Sequence, residues 1–171
     1  MSDAARQGQG KGPRGGARKD IHERALGLLA VRQRSRRELE RRLVQSGFEA
    51  EAVGAELERL QQVGLIDDEA FARAVVESRV GRRGESRRAV AGRLALAGVD
   101  RTLAGEVLDE TGIDEQAVAD QLAVTRSSRL SGVEPQVAFQ RLAGFLARRG
   151  YAPEVARRAA RRALALEALD S

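Results

Sequence analysis

The sequence predicts an all-α protein: three tandem three-helix repeats in an elongated, curved array, with a disordered basic N-terminal tail. Three observations predict it. Apolar residues recur four apart through most of the chain, a spacing that puts them on one face of a helix. Three such stripes end in glycine, at Gly47, Gly98 and Gly150, spaced 51 and 52 residues apart. Three further helices open on an aspartate, at Asp20, Asp67 and Asp114, each 47 residues after the last. Self-similarity at a fixed period marks a repeat array. It sets a tail at 1–19 and repeats at 20–66, 67–113 and 114–171.

The tail, "MSDAARQGQGKGPRGGARKD", is rich in Gly, Gln and Arg and has no apolar periodicity, so it reads as disordered. It is either a basic arm that speeds encounter with polyanions or an unselected extension. Each repeat then opens on an aspartate-led helix: "DIHERALGLLAVRQR", "DDEAFARAVVESRV" and "DEQAVADQLAVTRSS". A second helix follows and ends in glycine. Its stripe is Leu39 and Leu43 before Gly47, Val90 and Leu94 before Gly98, and Leu142 and Leu146 before Gly150. Glycine there supplies the left-handed C-cap, and the apolar residue after it (Phe48, Val99, Tyr151) folds back on the last turn. A third helix completes each repeat. Its stripes are Val53, Leu57 and Leu60; then Leu103, Val107 and Leu108; then Val155, Ala159, Ala163 and Leu166, with Pro153 at the start.

This periodicity decides what the acid pair Asp67–Asp68 does. "GLIDDEAFAR" and "TGIDEQAVAD" are one joint written twice: a glycine stop, an apolar staple at Ile66 or Ile113, then an aspartate N-cap. The pair is punctuation between helices. Neighbouring carboxylates also point apart once a helix begins.

The residue inventory argues against catalysis. His22 is the only histidine and is expected on the surface or at a cap; there is no cysteine. Soft-metal clusters and Ser-His or Cys-His nucleophiles therefore have nothing to be built from. "GQGKGPRGG" is not preceded by a strand and ends in no GK[ST], so it cannot cradle phosphate. No cofactor, metal or catalytic residue is expected. The absence of cysteine fits a reducing compartment. With no apolar run of roughly 20 residues and no signal-type stretch at the start, the expectation is a cytoplasmic monomer that does not enter membranes.

Charge is the informative feature. The net charge is +5, and 28 of the 30 cations are Arg. Residues 1–20 hold +3 of it, so the body is close to balance and must use segregated faces to bind a polyanion. At the junction of first and second helices the first repeat carries Arg32, Arg34, Arg36, Arg37, Arg41 and Arg42. The second carries Arg79, Arg82, Arg83, Arg87, Arg88 and Arg93 there. The third has Arg126 and Arg129 there, with Arg141, Arg148, Arg149, Arg157, Arg158, Arg161 and Arg162 further on. Acidic residues concentrate elsewhere, on Glu49, Glu51, Glu56 and Glu58 and on Glu106, Asp109 and Glu110. One reading is solvated helix faces laced with i,i+4 pairs such as Glu38–Arg42. The other, favoured because the cluster recurs at one place in each repeat, is a basic binding band. The planar guanidinium fork suits phosphate and carboxylate alike.

"ALGLLAVRQRSRRELERRLVQSG", "LERLQQVGLIDDEAFARAVVESR", "SRRAVAGRLALAGV" and "FLARRGY" together resemble the RecX regulatory proteins, modulators of the RecA recombinase. The resemblance runs from Ile21 to about Ala165. One departure is Val75, where the family often places a large aromatic. The resemblance implies three tandem three-helix repeats. It also implies a non-enzyme that lies in the groove of the RecA–DNA filament and limits its ATPase, strand-exchange and coprotease activities. The expected partners are thus the RecA filament and single- or double-stranded DNA. The competing reading is a stand-alone helical DNA-binding protein, since three-helix units can resemble helix-turn-helix modules. Against it, the body is near charge balance and no short helix offers a polar base-reading set.

Overall fold

A computed structural model describes residues 14–166, with side chains from Asp20 onward. Apart from 14–19, the tail expected to be disordered lies outside the described residues, as do the last five residues of the third repeat. Nine α-helices and no strand occur among the described residues. They are α1 (Arg14–Val31), α2 (Arg36–Gln45), α3 (Ala50–Gln62), α4 (Asp68–Val76), α5 (Arg87–Ala97), α6 (Arg101–Glu110), α7 (Glu115–Ser127), α8 (Pro135–Arg148) and α9 (Pro153–Ala163). They fall into three triplets, each enclosing its own apolar core.

The glycine stops are as the sequence predicts. Gly47, Gly98 and Gly150 have φ of 93°, 80° and 90°. The amide after each donates back to the helix: Phe48 to Leu43 O at 3.3 Å, Val99 to Leu94 O at 3.0 Å, Tyr151 to Leu146 O at 3.3 Å. This is the six-to-one bond of a Schellman end. The aspartate starts hold in two of three places. Asp67 Oδ1 accepts from the Ala70 amide at 2.9 Å, and Asp114 Oδ1 accepts from Gln116 and Ala117 at 2.9 and 3.1 Å. Asp20 is the exception. Helix α1 begins at Arg14, so Asp20 lies inside it and caps nothing. Gly15 and Gly16, poor helix formers, hid that earlier start. At the other end α9 stops at Ala163, leaving Leu166 outside the helix.

Two compact units emerge. The first, 1–34 with 38–66, is built on Ile21, Ala25, Leu39, Leu43, Val53, Leu57 and Leu60, all buried. A second feature holds it together. Glu38, 8% exposed, accepts from Arg32 at 2.6 Å, from Arg34 at 2.5 Å and from Arg42 at 3.0 Å. Burial pushes the Glu38 carboxyl up, but the hydrogen bonds from these guanidinium groups outweigh it and hold the group below the usual carboxylate range. His22 is not simply on the surface: its Nδ1 lies 2.7 Å from Glu56 Oε1 and 2.8 Å from Arg59.

The second unit is Ser35–Arg37 with 67–171. Here the Asp67–Asp68 pair divides its work. Asp67 caps α4, while Asp68 Oδ1 accepts the Arg36 amide at 2.8 Å. Ser35 Oγ donates to the Ala97 carbonyl. The cores of the α4–α6 and α7–α9 triplets both lie in this unit. Phe71, Val76, Val80, Val90, Leu94 and Val107 form one; Ala119, Ala123, Leu146, Tyr151, Ala156 and Ala159 form the other.

Between α4 and α5 the backbone departs from the sequence prediction. Helix α4 runs on into a six-residue π-helical stretch, Glu77–Arg82. Such wide turns are uncommon and recur at functional sites.

Candidate polyanion-binding cleft

The joint between α4–α6 and α7–α9 is fixed by backbone. The Ser86 amide donates to Arg149 O at 3.0 Å, and the buried Tyr151 hydroxyl donates to Gly84 O at 3.1 Å. Gly150 packs so closely that an added Cβ would come within 2.6 Å of Ser86 Oγ and 2.7 Å of Ala89 Cβ. These ties hold the C-terminal end of α8 against the N-terminal end of α5. Burial, then the nearby Glu115 carboxylate, push the Tyr151 hydroxyl up to about 12, so it stays a proton donor.

The joint leaves a concave cleft of about 580 Å³ beside it. The end of the π-helical stretch brings Arg82, the loop after it brings Arg83 and Glu85, α5 brings Arg93, and the end of α8 brings Arg148 and Arg149. Five guanidinium side chains thus share one cavity with a single carboxylate. Glu85 is itself held by Arg93 at 2.6 Å and Arg79 at 3.1 Å. Burial raises its carboxyl, and those hydrogen bonds more than reverse the effect, so it stays ionised.

Arg83 and Arg148 have no hydrogen-bond or ion-pair partner among the described residues, and both are exposed. Arg149 lies over Phe145, its guanidinium carbon 4.2 Å from the ring centroid, and its buried Nε has no hydrogen-bond partner. Leaving a buried N–H unpaired is costly.

A second cavity of about 610 Å³ adjoins. Arg126, Arg129, Arg141 and Arg148 line it, with Leu130, Val137 and Phe145. Arg148 belongs to both cavities. Arg126 covers the same Phe145 ring at 5.3 Å.

The expected basic band is therefore sorted by tertiary structure. Arg82, Arg83, Arg93, Arg148 and Arg149 are brought together, and Arg126 and Arg129 are linked to them through Arg148. Two of these are paired within the fold, Arg82 with Glu77 at 2.9 Å and Arg93 with Glu85, and other members of the band are engaged away from the cleft. Arg32, Arg34 and Arg42 converge on Glu38, and Arg34 is buried. Arg87 donates to the Leu108 carbonyl and Asp109, and Arg88 reaches Gly150 O at 3.4 Å. Arg79 holds Glu85, and Arg37 lies along Gly98. Arg36 is half-buried and Arg41 exposed, in the first turns of α2. Arg157 and Arg158 project from α9 and line neither cavity; Arg158 bonds Gln116 at 2.7 Å. The expected separate acidic band is partly consumed as well. Glu56 is buried beside His22 and Arg59, Asp109 pairs with Arg87, and Glu110 with Arg73 at 2.5 Å. Sequence reading noted Arg141 among the third repeat's cations but did not pick out Phe145. Only the apolar spacing of α8, which sets Phe145 one residue before the buried Leu146, hinted at the ring's position.

Family models for the first, second and third three-helix domains of RecX match residues 22–60, 67–108 and 114–160. The chain belongs to the RecX family. "Regulatory protein RecX" of Thermobifida fusca (strain YX) is 37% identical over 177 residues, covering 99% of this chain and 95% of that protein. The protein of the same name from Mycobacterium avium (strain 104) is 42% identical over 136 residues, 77% of each. The crystal structure of RecX from Lactobacillus salivarius superposes with a TM-score of 0.72 at 18% identity, covering 91% of this chain and 97% of that one. The last match bears on the fold alone. Together they give this chain the three-helix architecture and the regulatory role of RecX. None of the described helices is long and apolar enough to cross a membrane.

Proposed function

We propose that this chain regulates RecA by binding its filament on DNA and limiting its activity, acting as a ligand and not as a catalyst. The observation that carries the reading is the group of five arginine side chains in one cleft, Arg83 and Arg148 among them without a hydrogen-bond or ion-pair partner among the described residues. Family membership supports RecA as the partner. A charged concavity on a near-neutral body suits an acidic or phosphate-lined surface that is met face to face, since one-sided fields steer association. The full sequence has no cysteine, which supports a cytoplasmic setting, and the chain is taken to act as a monomer.

The test is RecA's DNA-dependent ATPase, with filament length measured alongside. The chain should lower both at amounts well below one per RecA protomer. Charge reversal at Arg82 and Arg83 together should weaken that inhibition while leaving the helical circular dichroism unchanged. Unaltered RecA activity at stoichiometric excess of the chain would overturn the reading.

A further inference from the structure

We infer that Phe145 is a positioning residue: its ring fixes one arginine of each cavity, Arg149 and Arg126, and so presets both for a partner. The use of that arrangement against RecA rests on the filament reading; the hold of the ring on the two side chains does not.

Three observations carry it. First, one ring serves two cavities. The guanidinium carbon of Arg149 lies 4.2 Å from the Phe145 centroid, and that of Arg126 lies 5.3 Å from it. Arg149 lines the first cavity, while Arg126 and Phe145 itself line the second. Both distances fall inside the roughly 6 Å over which the negative face of a ring attracts a cation.

Second, no polar bond holds these two side chains. Neither makes a hydrogen bond or ion pair from its guanidinium group among the described residues. The Nε of Arg149 is buried without a partner, so it is closed to any ligand and only penalises the side chain for staying where it is. The main chain does not offset this. Its Arg149 carbonyl is taken by the Ser86 amide at 3.0 Å, which fixes the backbone and leaves the side chain free to turn. The attraction that remains is the ring, and it strengthens as the cation loses water. Arg149 is half-buried.

Third, the ring does more than fill the core. Phe145 is half-buried and packs against the core of the α7–α9 triplet. A leucine would meet that apolar contact too, but it has no π face. Phe139 makes the contrast. Its one cation is Arg161, at 6.0 Å, and Arg161 lines neither cavity. A cation held by a ring uses none of its N–H donors for the purpose, so donors that face a cavity stay ready for a carboxylate or phosphate. The partner is also spared the entropy of ordering a long side chain.

The experiment grades the charge of the ring while keeping its shape. The full chain is made with phenylalanine analogues carrying one, two and three ring fluorines at position 145, since each fluorine withdraws electron density from the π face. Inhibition of RecA's DNA-dependent ATPase should weaken stepwise along the series. Phe145→Leu should weaken it about two- to thirtyfold, the span of a partly desolvated cation–π contact. Phe145→Tyr keeps the ring and should restore most of the loss, and Phe139→Leu should stay near wild type. Should leucine loosen the core, the fluorinated series preserves the packing and still decides. A second arm omits RecA. The side-chain Nε–Hε signals of Arg126 and Arg149 should be displaced by the ring current in wild type and in Phe145→Tyr. In Phe145→Leu they should return to the positions of free arginine.

A flat fluorine series, equal losses in Phe139→Leu and Phe145→Leu, or wild-type arginine signals with no ring-current displacement would each overturn the positioning role. A wild type that leaves RecA untouched would instead remove the filament reading, and the arginine signals would then decide the role of Phe145 alone.

Discussion

Replacing Glu38 with alanine should unfold the first unit far more readily than its place among so many surface charges suggests. The Glu38 side chain is 11% exposed, and its carboxylate accepts three guanidinium donors at 2.5 to 3.0 Å. Two of those arginines sit largely in solvent: the side chains of Arg32 and Arg42 are 50% and 47% exposed, and they recover hydration when Glu38 goes. Arg34 cannot, because it is 7% exposed with its Nε tied to Leu28 O at 3.0 Å. Glu38→Ala therefore leaves a buried, unpaired cation. Breaking a buried pair from one side costs about 3–5 kcal/mol, whereas apolar replacement of both partners is often neutral. Glu38→Ala should fall in that range, and adding Arg34→Met should restore most of the loss. The assay is urea unfolding by circular dichroism, with amide hydrogen exchange in α2 and α3 to locate the change. The pH dependence has a definite sign. The folded carboxyl is held below its unfolded value, so its contribution is present above the unfolded value, near 4.5, and disappears as pH falls through the lower folded one. Glu38→Gln should flatten that acid limb. A cost under about 1 kcal/mol for Glu38→Ala, a value expected of surface pairs, would refute the reasoning.

Gly150→Ala should destabilise the second unit more than Gly47→Ala destabilises the first. Both positions need positive φ, at roughly 1–2 kcal/mol for an L side chain, but only at Gly150 does the new Cβ meet Ser86 and Ala89, while nothing lies within 4 Å at Gly47; equal losses in thermal melts would contradict the close joint. Tyr151→Phe should cost about 1 kcal/mol at neutral pH through its lost bond to Gly84. The folded hydroxyl titrates at about 12 against 10.0 for the free group, so wild-type stability should fall as pH rises from 10 toward 12, and the phenylalanine variant should lack that decline in alkaline unfolding curves.

The sequence alone determined what depends on neighbours a few residues away. Helix faces follow from the four-residue spacing of Leu39 with Leu43, or Val90 with Leu94. Helix ends follow from Gly47, Gly98 and Gly150, and two starts follow from Asp67 and Asp114, because capping bonds close within one turn. The same short range explains the one failed start, since nothing local in "RGGARKD" announces a helix at Arg14. Likewise no local signal separates Arg83 from Arg87, four residues on and just as cationic. What separates them is Asp109 and the Leu108 carbonyl, which reach Arg87 only because α6 packs beside α5. Arg34 is spent on Glu38 because the turn before α2 folds inward, and Arg149 reaches the cleft because Ser86 and Gly84 pin the end of α8 there. The arginines were legible as a class. Their division into members that hold the fold and members that line the cleft was decided by tertiary packing, because a long charged side chain takes whichever carboxylate, carbonyl or ring the fold brings within about 3 to 6 Å.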